Sequence, residues 1–405
     1  MSALLPVEDA ISRLGGMISP LGVENISLAQ ANGRVLAGDV VAQRTQPPFD
    51  NSAMDGYAVR AGDIATVPVT LQVIGEAPAG GTYEGHVGEG QAVRIFTGGP
   101  IPDGADAIVI QEDTTRDGAS VEVLESSAAG RHIRRAGLDF NQGDVCLKAG
   151  ERLTPYSIAL AAAANVPTLT VYKQPKVAFF ATGNELVLPG EIPGPNQIVS
   201  SNSAGIAAFI QAHGGIPIDL GIARDTLDSI KETASQAKDA DLLLTLGGAS
   251  VGDHDLVQQA LVEIGLKVDF WKIAMRPGKP LMFGEIKGQP FLGLPGNPVS
   301  ALVCAILFLS AAMARLSGLA AKHPAHINVL VEADLPKNGP RQDYIRARLR
   351  RDETGALLAT PGTRQDSSML SSMAASGGLI IRAPHAPALS AGATVPLLPL
   401  KLNEI

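Results

Sequence analysis

Between residues 175 and 320 the sequence alternates short, almost wholly apolar runs with amphipathic stretches, and few folds accommodate that rhythm. KVAFFATG, IPIDLGIARD, DLLLTLGG and FLGLPG read as strands, and SAGIAAFIQAHGG, TLDSIKETASQAKDA and HDLVQQALVEIG read as helices between them. Strands apolar on both faces and separated by helices belong in a parallel sheet covered on both sides. VDFWKIA and PLMFGEI add further strands before a long apolar helix. The expectation is a central parallel α/β domain over residues 175–325.

The rest of the chain does not follow that rhythm. Its 405 residues exceed one ordinary core. Residues 6–18 carry apolar groups at helical spacing: Val7, Ile11, Leu14 and Ile18. Residues 47–143 give short β runs (VPVTLQVIG, QAVRIFTG, DAIVIQED, SVEVLE) between turn residues, and so read as a β module. TPYSIALAAAANV returns to helix, with Thr154 as N-cap and Pro155 in the first turn. That helix is expected to pack back on the N-terminal helical segment. Residues 1–46 and 144–174 would then form one discontinuous domain, with 47–143 inserted into it. From residue 326 to 405 HINVLVEADL, DYIRARLR, GLIIRA and TVPLLPL describe a C-terminal β domain. The fold class is multi-domain, α/β plus β.

A net charge of −8 argues against a broad nucleic-acid surface. Cys146 and Cys304 are far apart and read as reduced thiols rather than a disulfide. The N-terminus shows no basic-then-apolar leader pattern, and VSALVCAILFLSAAMA is shorter than the roughly 20 residues of a membrane span. A soluble cytoplasmic protein is expected, without membrane or nucleic-acid partners.

Ligands of α/β sheets bind at the carboxyl ends of the strands, where turns present backbone N–H groups. Three turns qualify: ATGNEL, TLGGASVGDHD and GLPGNPVSA. In the second, Gly247, Gly248 and Gly252 permit close backbone approach, Ser250 offers a hydroxyl, and a following helix start favours an anion. Glu185, Asp225, Asp253 and Asp255 are carboxylates suited to Mg²⁺ beside phosphate oxygens, although a helix cap explains any one of them equally well. His254 reads as a helix-start residue rather than a base. In so acidic a chain, Lys272, Arg276 and Lys279 within FWKIAMRPGKP suggest an oxyanion pocket. PPFDNSAMDGYA places Asp50, Asn51, Ser52 and Asp55 close together, more polar groups than a turn needs. Thr97 in RIFTGGPIPDGAD and Asp139 in RRAGLDFNQGD extend that picture.

Taken in order, PPFDNSAMDGYA, FTGGPIPDGADAIV, IRRAGLD, ATGNEL, LGGASVGDHD, RPGKP and GLPGNPVSA resemble the motif series of the molybdopterin molybdenumtransferases. The resemblance runs from about residue 6 to the C-terminus. It implies a homodimer whose central domain resembles pterin adenylyltransferases. It also implies a cleft shared between that domain and the β insertion of the partner subunit. The implied reaction inserts molybdenum from molybdate into adenylylated molybdopterin and releases AMP, with Mg²⁺ held among Glu185, Asp225 and Asp255. The implied functional residues are Asp55, Thr97, Asp139, Glu185, Asp225 and Asp255. Molybdate falls to Arg276, Lys279 and Arg346, with Ser367 as partner, Lys272 nearby, and Pro295 and Pro298 shaping the pterin loop. Arg276 stands where many members have Lys, which keeps the charge and adds a planar fork. The upstream pterin adenylyltransferase is an implied partner. A pterin adenylyltransferase and a non-catalytic scaffold of the same fold remain alternatives at this point.

Overall fold

The computed structural model describes residues 4–78, 80–248 and 256–400. The chain forms two compact units. One comprises Met1–Glu24, Gly33–Ala37 and Val171–Ile405, the other Asn25–Asn32 and Gly38–Thr170.

In the first unit a six-stranded sheet is built from β1 (Lys176–Thr182), β2 (Ile216–Ala223), β3 (Leu242–Leu246), β4 (Leu266–Trp271), β5 (Met282–Ile286) and β6 (Gln289–Leu294). Their order is 2-1-3-6-5-4. β2, β1, β3 and β6 are parallel, as expected. β4 and β5 instead run antiparallel at the far edge. The reason is local: Lys287 and Gly288, both at positive φ, turn β5 straight into β6, and a two-residue hairpin cannot make a parallel crossover. The sheet separates two apolar layers. Phe179, Leu244, Leu246 and Leu292 face the 298–316 helix together with Val7, Ile11 and Leu14. Ala178, Phe180, Leu243 and Phe291 face Ile230, Val257 and Leu261.

The 19-residue helix Pro298–Leu316 is long and apolar enough to cross a membrane, yet 72% of its most apolar window is buried in this core. It is interrupted by one π-type turn at Ala305–Leu309. The Val7–Met17 helix is fastened to it by Arg315 Nε, which donates to the carbonyls of Gly15 and Ile18.

The C-terminal strands Ile327–Val331, Gln342–Arg351, Leu357–Pro361, Gly378–Arg382 and Thr394–Pro399 pair in a cycle, so the sheet closes into a small barrel. Closure removes free edges. Met275–Arg276, between β4 and β5 in sequence, joins this second sheet by pairing parallel with Gln342 and Asp343. The loop from the α/β domain is thereby fixed against the barrel.

The second unit is organised around a six-stranded sheet in the order Ala107–Ile110, Gly56–Val59, Gln91–Ile95, Val69–Ala77, Ser120–Val123, Thr114–Asp117. Alternate residues fill two layers, Tyr57, Val59, Leu71 and Val109 on one face and Ala58, Val93, Ile95 and Ile108 on the other. Helix Pro155–Ala163 begins as expected, the Thr154 hydroxyl accepting from Ser157 N at 3.2 Å. Val40–Val41 pairs with Val145–Leu147, joining 1–46 to 144–174, but the helix does not pack on the first helix. Leu160 and Ala164 cluster with Ala42 and Phe140 in this unit, whereas Val7–Met17 belongs to the core of the other. A flat, mostly alanine helix surface carries little directional information, so its periodicity did not disclose its partner.

Candidate functional site

Three of the strand ends of the α/β sheet converge on one cavity of about 950 Å³. After β1, the turn carrying Glu185 is clasped to the end of β2. Asn184 N donates to Asp225 Oδ2 at 3.0 Å, and Asp225 N donates to Asn184 Oδ1 at 3.3 Å. Asp225 is therefore not in the cavity lining; it holds the turn that puts the exposed Glu185 carboxylate there. After β3, Gly247 and Gly248 adopt φ of +104° and +66°. A Cβ on Gly248 would lie 2.1 Å from Val257 Cγ2, so only glycine lets the chain turn this tightly. Gly247 N donates to Leu294 O at 3.0 Å, binding this turn to the end of β6. There Pro295, Gly296, Asn297 and Pro298 line the cavity and open the 298–316 helix. Ser250, Gly252, Asp253, His254 and Asp255 lie outside the described residues.

The barrel closes the other wall. Arg346 is 2% exposed. Its guanidinium donates to Met369 O at 3.2 Å, Arg364 O at 3.3 Å and Gln365 Oε1 at 3.3 Å. Burial lowers its pKa, but a guanidinium remains charged. So placed, Arg346 does not line the main cavity; it grips the loop that brings Ser367 into it. Ser367 is clasped to the helix start, accepting from Val299 N at its carbonyl and from Asn297 Nδ2 at its hydroxyl oxygen, both at 3.0 Å. Since that oxygen already accepts one bond, its own O–H can donate to a ligand.

Cations reach the same cavity. Arg276, on the strand added to the barrel sheet, donates to Asp343, a carboxylate only 6% exposed. Asp343 fixes the fork while its remaining N–H groups stay available. Lys279 is half-buried, and among the described residues no acid pairs with its ammonium. Lys272 lies outside the lining, its ammonium 4.5 Å from the Trp271 ring centroid. Arg341 lines the cavity too and escaped the sequence reading, because an isolated arginine in a turn carries no signal. Asn202, whose Nδ2 donates to Gly296 O at 2.7 Å, was legible only as a possible helix-start residue. Asp366 also lines the cavity; its bonds from the Ser368 hydroxyl and backbone hold it below the usual carboxylate range.

Gly278 fixes the cationic turn. Its φ is +107° and a Cβ would lie 2.6 Å from Cys304 Sγ. Gly278→Ala should lower stability by about 1–3 kcal/mol through overpacking, read as an earlier urea midpoint. An unchanged midpoint would show that this turn has room to relax. Cys304 is itself inert, since burial pushes its thiol pKa up.

In the second unit the polar segment separates into structural and exposed groups. Ser52 is fully buried and its Oγ donates to Met54 O at 2.5 Å. Asp50 accepts from Ala136 N at 2.8 Å and Arg135 Nη1 at 2.5 Å, which anchors the following turn. Asn51 pairs with Arg134 in a short ladder. Asp55 differs: Thr97 N and Oγ1 both donate to its Oδ1 at 2.7 Å, and they hold its pKa below the usual range. Asp139 is exposed, and its N–H bonds Gln46 O at 3.0 Å.

Three family descriptions match consecutive parts of the chain: "MoeA N-terminal region (domain I and II)" over residues 5–165, "Probable molybdopterin binding domain" over 178–315, and "MoeA C-terminal region (domain IV)" over 328–400. The molybdopterin molybdenumtransferase of Haemophilus influenzae is 36% identical over 94% of this chain and 94% of its own length. That of a Nostoc species is 40% identical over 80% of this chain and 76% of its own. Among solved structures, the molybdopterin biosynthesis MoeA protein of Pyrococcus horikoshii OT3 aligns with a TM-score of 0.84 and 30% identity. The alignment covers 98% of this chain and 100% of that one.

Proposed function

Because this chain belongs to the molybdopterin molybdenumtransferase family, we propose that it inserts molybdenum from molybdate into adenylylated molybdopterin and releases AMP. One observation carries this reading: glycine-lined strand ends, a Lys279 without an acid partner among the described residues, the fork of Arg276 and the donor hydroxyl of Ser367 all open on one cavity. Its volume of about 950 Å³ is at the upper end for a small-molecule site, which suits a nucleotide joined to a pterin. The glycine turns and the helix start receive phosphate oxygens, where backbone N–H groups and the helix dipole favour negative charge. Lys279, Arg276 and Ser367 receive molybdate. Two dithiolene thiols replace one oxo group of molybdate, which departs as water with their two protons, so a water-accessible cationic pocket beside the sulfurs is what the step requires.

Among the described residues no three of His, Cys, Asp and Glu gather to hold a metal ion. Glu185 nevertheless offers an exposed carboxylate to the cavity, and Mg²⁺ often takes one or two carboxylates and completes its shell with phosphate oxygens and water. Glu185 would hold it, with Asp225 keeping the Glu185 turn in place and Asp255 offered from the sequence reading. Bound Mg²⁺ would supply charge neutralisation at the phosphoanhydride.

The active unit on this reading is a homodimer in which the Asp55 segment of one subunit completes the cavity of its partner. Phe49, Met54 and Leu138, beside that segment, are 45%, 38% and 66% exposed, and apolar groups so placed favour a covering surface. Both cysteines are free, which suits the cytoplasm. The adenylylated substrate has to be supplied by an adenylyl-transfer enzyme.

The test is reconstitution. Purified protein, adenylylated molybdopterin, molybdate and Mg²⁺ should yield AMP and a cofactor that activates an apo-molybdoenzyme. Pyrophosphate release from ATP and unmetallated pterin would identify the preceding adenylyl transfer instead. Lys279→Ala should raise the apparent KM for molybdate roughly 10–100-fold, the loss of one charge-assisted contact. Arg276→Ala should do so too, with some loss of stability because Asp343 is left without its partner. Molybdate dependence unchanged in both variants would remove the oxyanion role from this pocket.

A further inference from the structure

At one mouth of the barrel three charged side chains stand in a row across neighbouring strands. Arg276 lies opposite Asp343 in the parallel pairing of Met275–Arg276 with Gln342–Arg351. Asp343 in turn lies opposite Arg382 in the antiparallel pairing with Gly378–Arg382. Directly opposed residues share a face of the sheet, with Cβ atoms about 4.5–5.5 Å apart in an antiparallel pair. Alternation along each strand fixes which face this is. Asp343 is in phase with Ile345 and Ala347, and Arg382 with Ile380, and those three fill the barrel interior. The row therefore reads cation, anion, cation, from the main cavity into the barrel. Exposure falls along it, from 61% for the Arg276 side chain to 6% for Asp343 and 3% for Arg382. Arg276 donates to Asp343 Oδ2. Arg382 Nη2 donates to the carbonyls of Pro336, at 3.3 Å, and of Pro387. Its Nε and Nη1 are buried with no hydrogen-bond partner among the described residues.

A guanidinium stays charged when buried, and a buried charge is unfavourable unless an opposite charge lies near it. The two proline carbonyls orient Arg382 without neutralising it. The acid across the ladder is Asp343, which Arg276 already holds, so one buried carboxylate stands between two guanidiniums. Only the outer of these lines the main cavity. We propose that Arg382 is a positioning residue for that cavity: it shares Asp343 with Arg276, and it takes up the carboxylate as the Arg276 fork turns to an anionic ligand. Without a second cation, drawing Arg276 away would strand a buried carboxylate, and Arg276 would stay clamped to it. With Arg382 fixed in place and two of its N–H groups uncommitted, the fork can leave Asp343 at lower cost. The inference rests on the reading of Arg276 as a ligand of molybdate. A mere clamp on the two carbonyls would account for the bonds of Nη2, but not for a buried cation set opposite the acid that holds Arg276.

The experiment is calorimetric titration of the full chain with molybdate, on the unsubstituted protein, Arg276→Ala, Arg382→Met, Arg382→Lys and the double variant Arg276→Ala with Arg382→Met. Arg382→Met should weaken molybdate binding roughly three- to tenfold, within the range of coupling between neighbouring groups. Arg382→Lys, which keeps the charge and loses the fork held by the carbonyls, should stay within about twofold of the unsubstituted protein. In the Arg276→Ala background Arg382→Met should change the affinity no further, because no fork is left to release. Lys as damaging as Met, or Met equally damaging in both backgrounds, reduces Arg382 to a carbonyl clamp and overturns the proposal. Unchanged affinity in Arg276→Ala sinks the molybdate pocket and this inference together. Weakened affinity there, with Arg382→Met unchanged, sinks this inference alone. Urea unfolding reads the same row without ligand. Each single substitution leaves Asp343 one cation, so the double variant should lose more than the two single losses combined. Asp343→Asn should relieve that excess, and should also raise the midpoint of Arg382→Met if that variant is too unstable to titrate. Strictly additive losses, or a further fall on adding Asp343→Asn to Arg382→Met, overturn the proposal.

Discussion

Asp55→Ala is expected to slow molybdenum insertion by roughly two to four orders of magnitude, the range over which a positioned acid or base acts, with little change in stability. The residue is half-buried and belongs to neither core layer of its sheet, so its removal opens no cavity in the core. The two Thr97 donors would be released to water rather than left buried. Those donors also lower the Asp55 pKa, so Asp55 is ionised throughout the neutral range. Protonation, and any rate loss that follows from it, should appear only as the pH falls below the ordinary carboxylate value of 3.8. Thr97→Val removes the hydroxyl donor and should move that acid limb upward. The measurement is AMP release and cofactor yield at saturating molybdate, with urea unfolding as control. A wild-type rate for Asp55→Ala would remove the whole PPFDNSAMDGYA segment from the active site.

The second large effect is a gain. Asp55 and Glu185 belong to different compact units of one chain, and the proposed dimer combines the former from one subunit with the latter from its partner. Asp55→Ala and Glu185→Ala should each be inactive alone and recover when mixed under conditions that exchange subunits. Random exchange of equal amounts makes about half the dimers mixed, and two-fold symmetry gives each mixed dimer one intact site and one doubly defective site. Activity should return to roughly a quarter of wild type. Exchange demonstrated by native mass spectrometry without any recovery would place both acids in a single subunit's site.

Much of the architecture could be read from local patterns, because burial on both faces of a strand leaves an unbroken apolar run. Lys176–Thr182 and Leu242–Leu246 are buried almost throughout, as their composition required. The antiparallel edge was legible in principle from Lys287-Gly288, a two-residue turn whose meaning was masked by the apolar runs on either side. Glycine turns at strand ends pointed to the main cavity, since positive φ and close backbone approach are demands that a sequence records directly.

Side-chain roles were less accessible. Arg346 and Arg276 look alike as isolated cations, yet one is buried against loop carbonyls and the other stands 61% exposed over a cavity. Asp50, Ser52 and Asp55 share one polar segment, but Ser52 is buried, Asp50 anchors the Arg135–Ala136 turn and Asp55 accepts from Thr97. Strands, helices, tight turns and the motif series were all legible along the chain, because they follow from periodicity and from what each residue's backbone tolerates. Which cation is free to bind and which holds a loop depends on contacts made in the folded chain. A charged side chain acts according to the partners brought within hydrogen-bond distance, and those partners, Asp343 for Arg276 and Met369 for Arg346, lie 67 and 23 residues away along the chain.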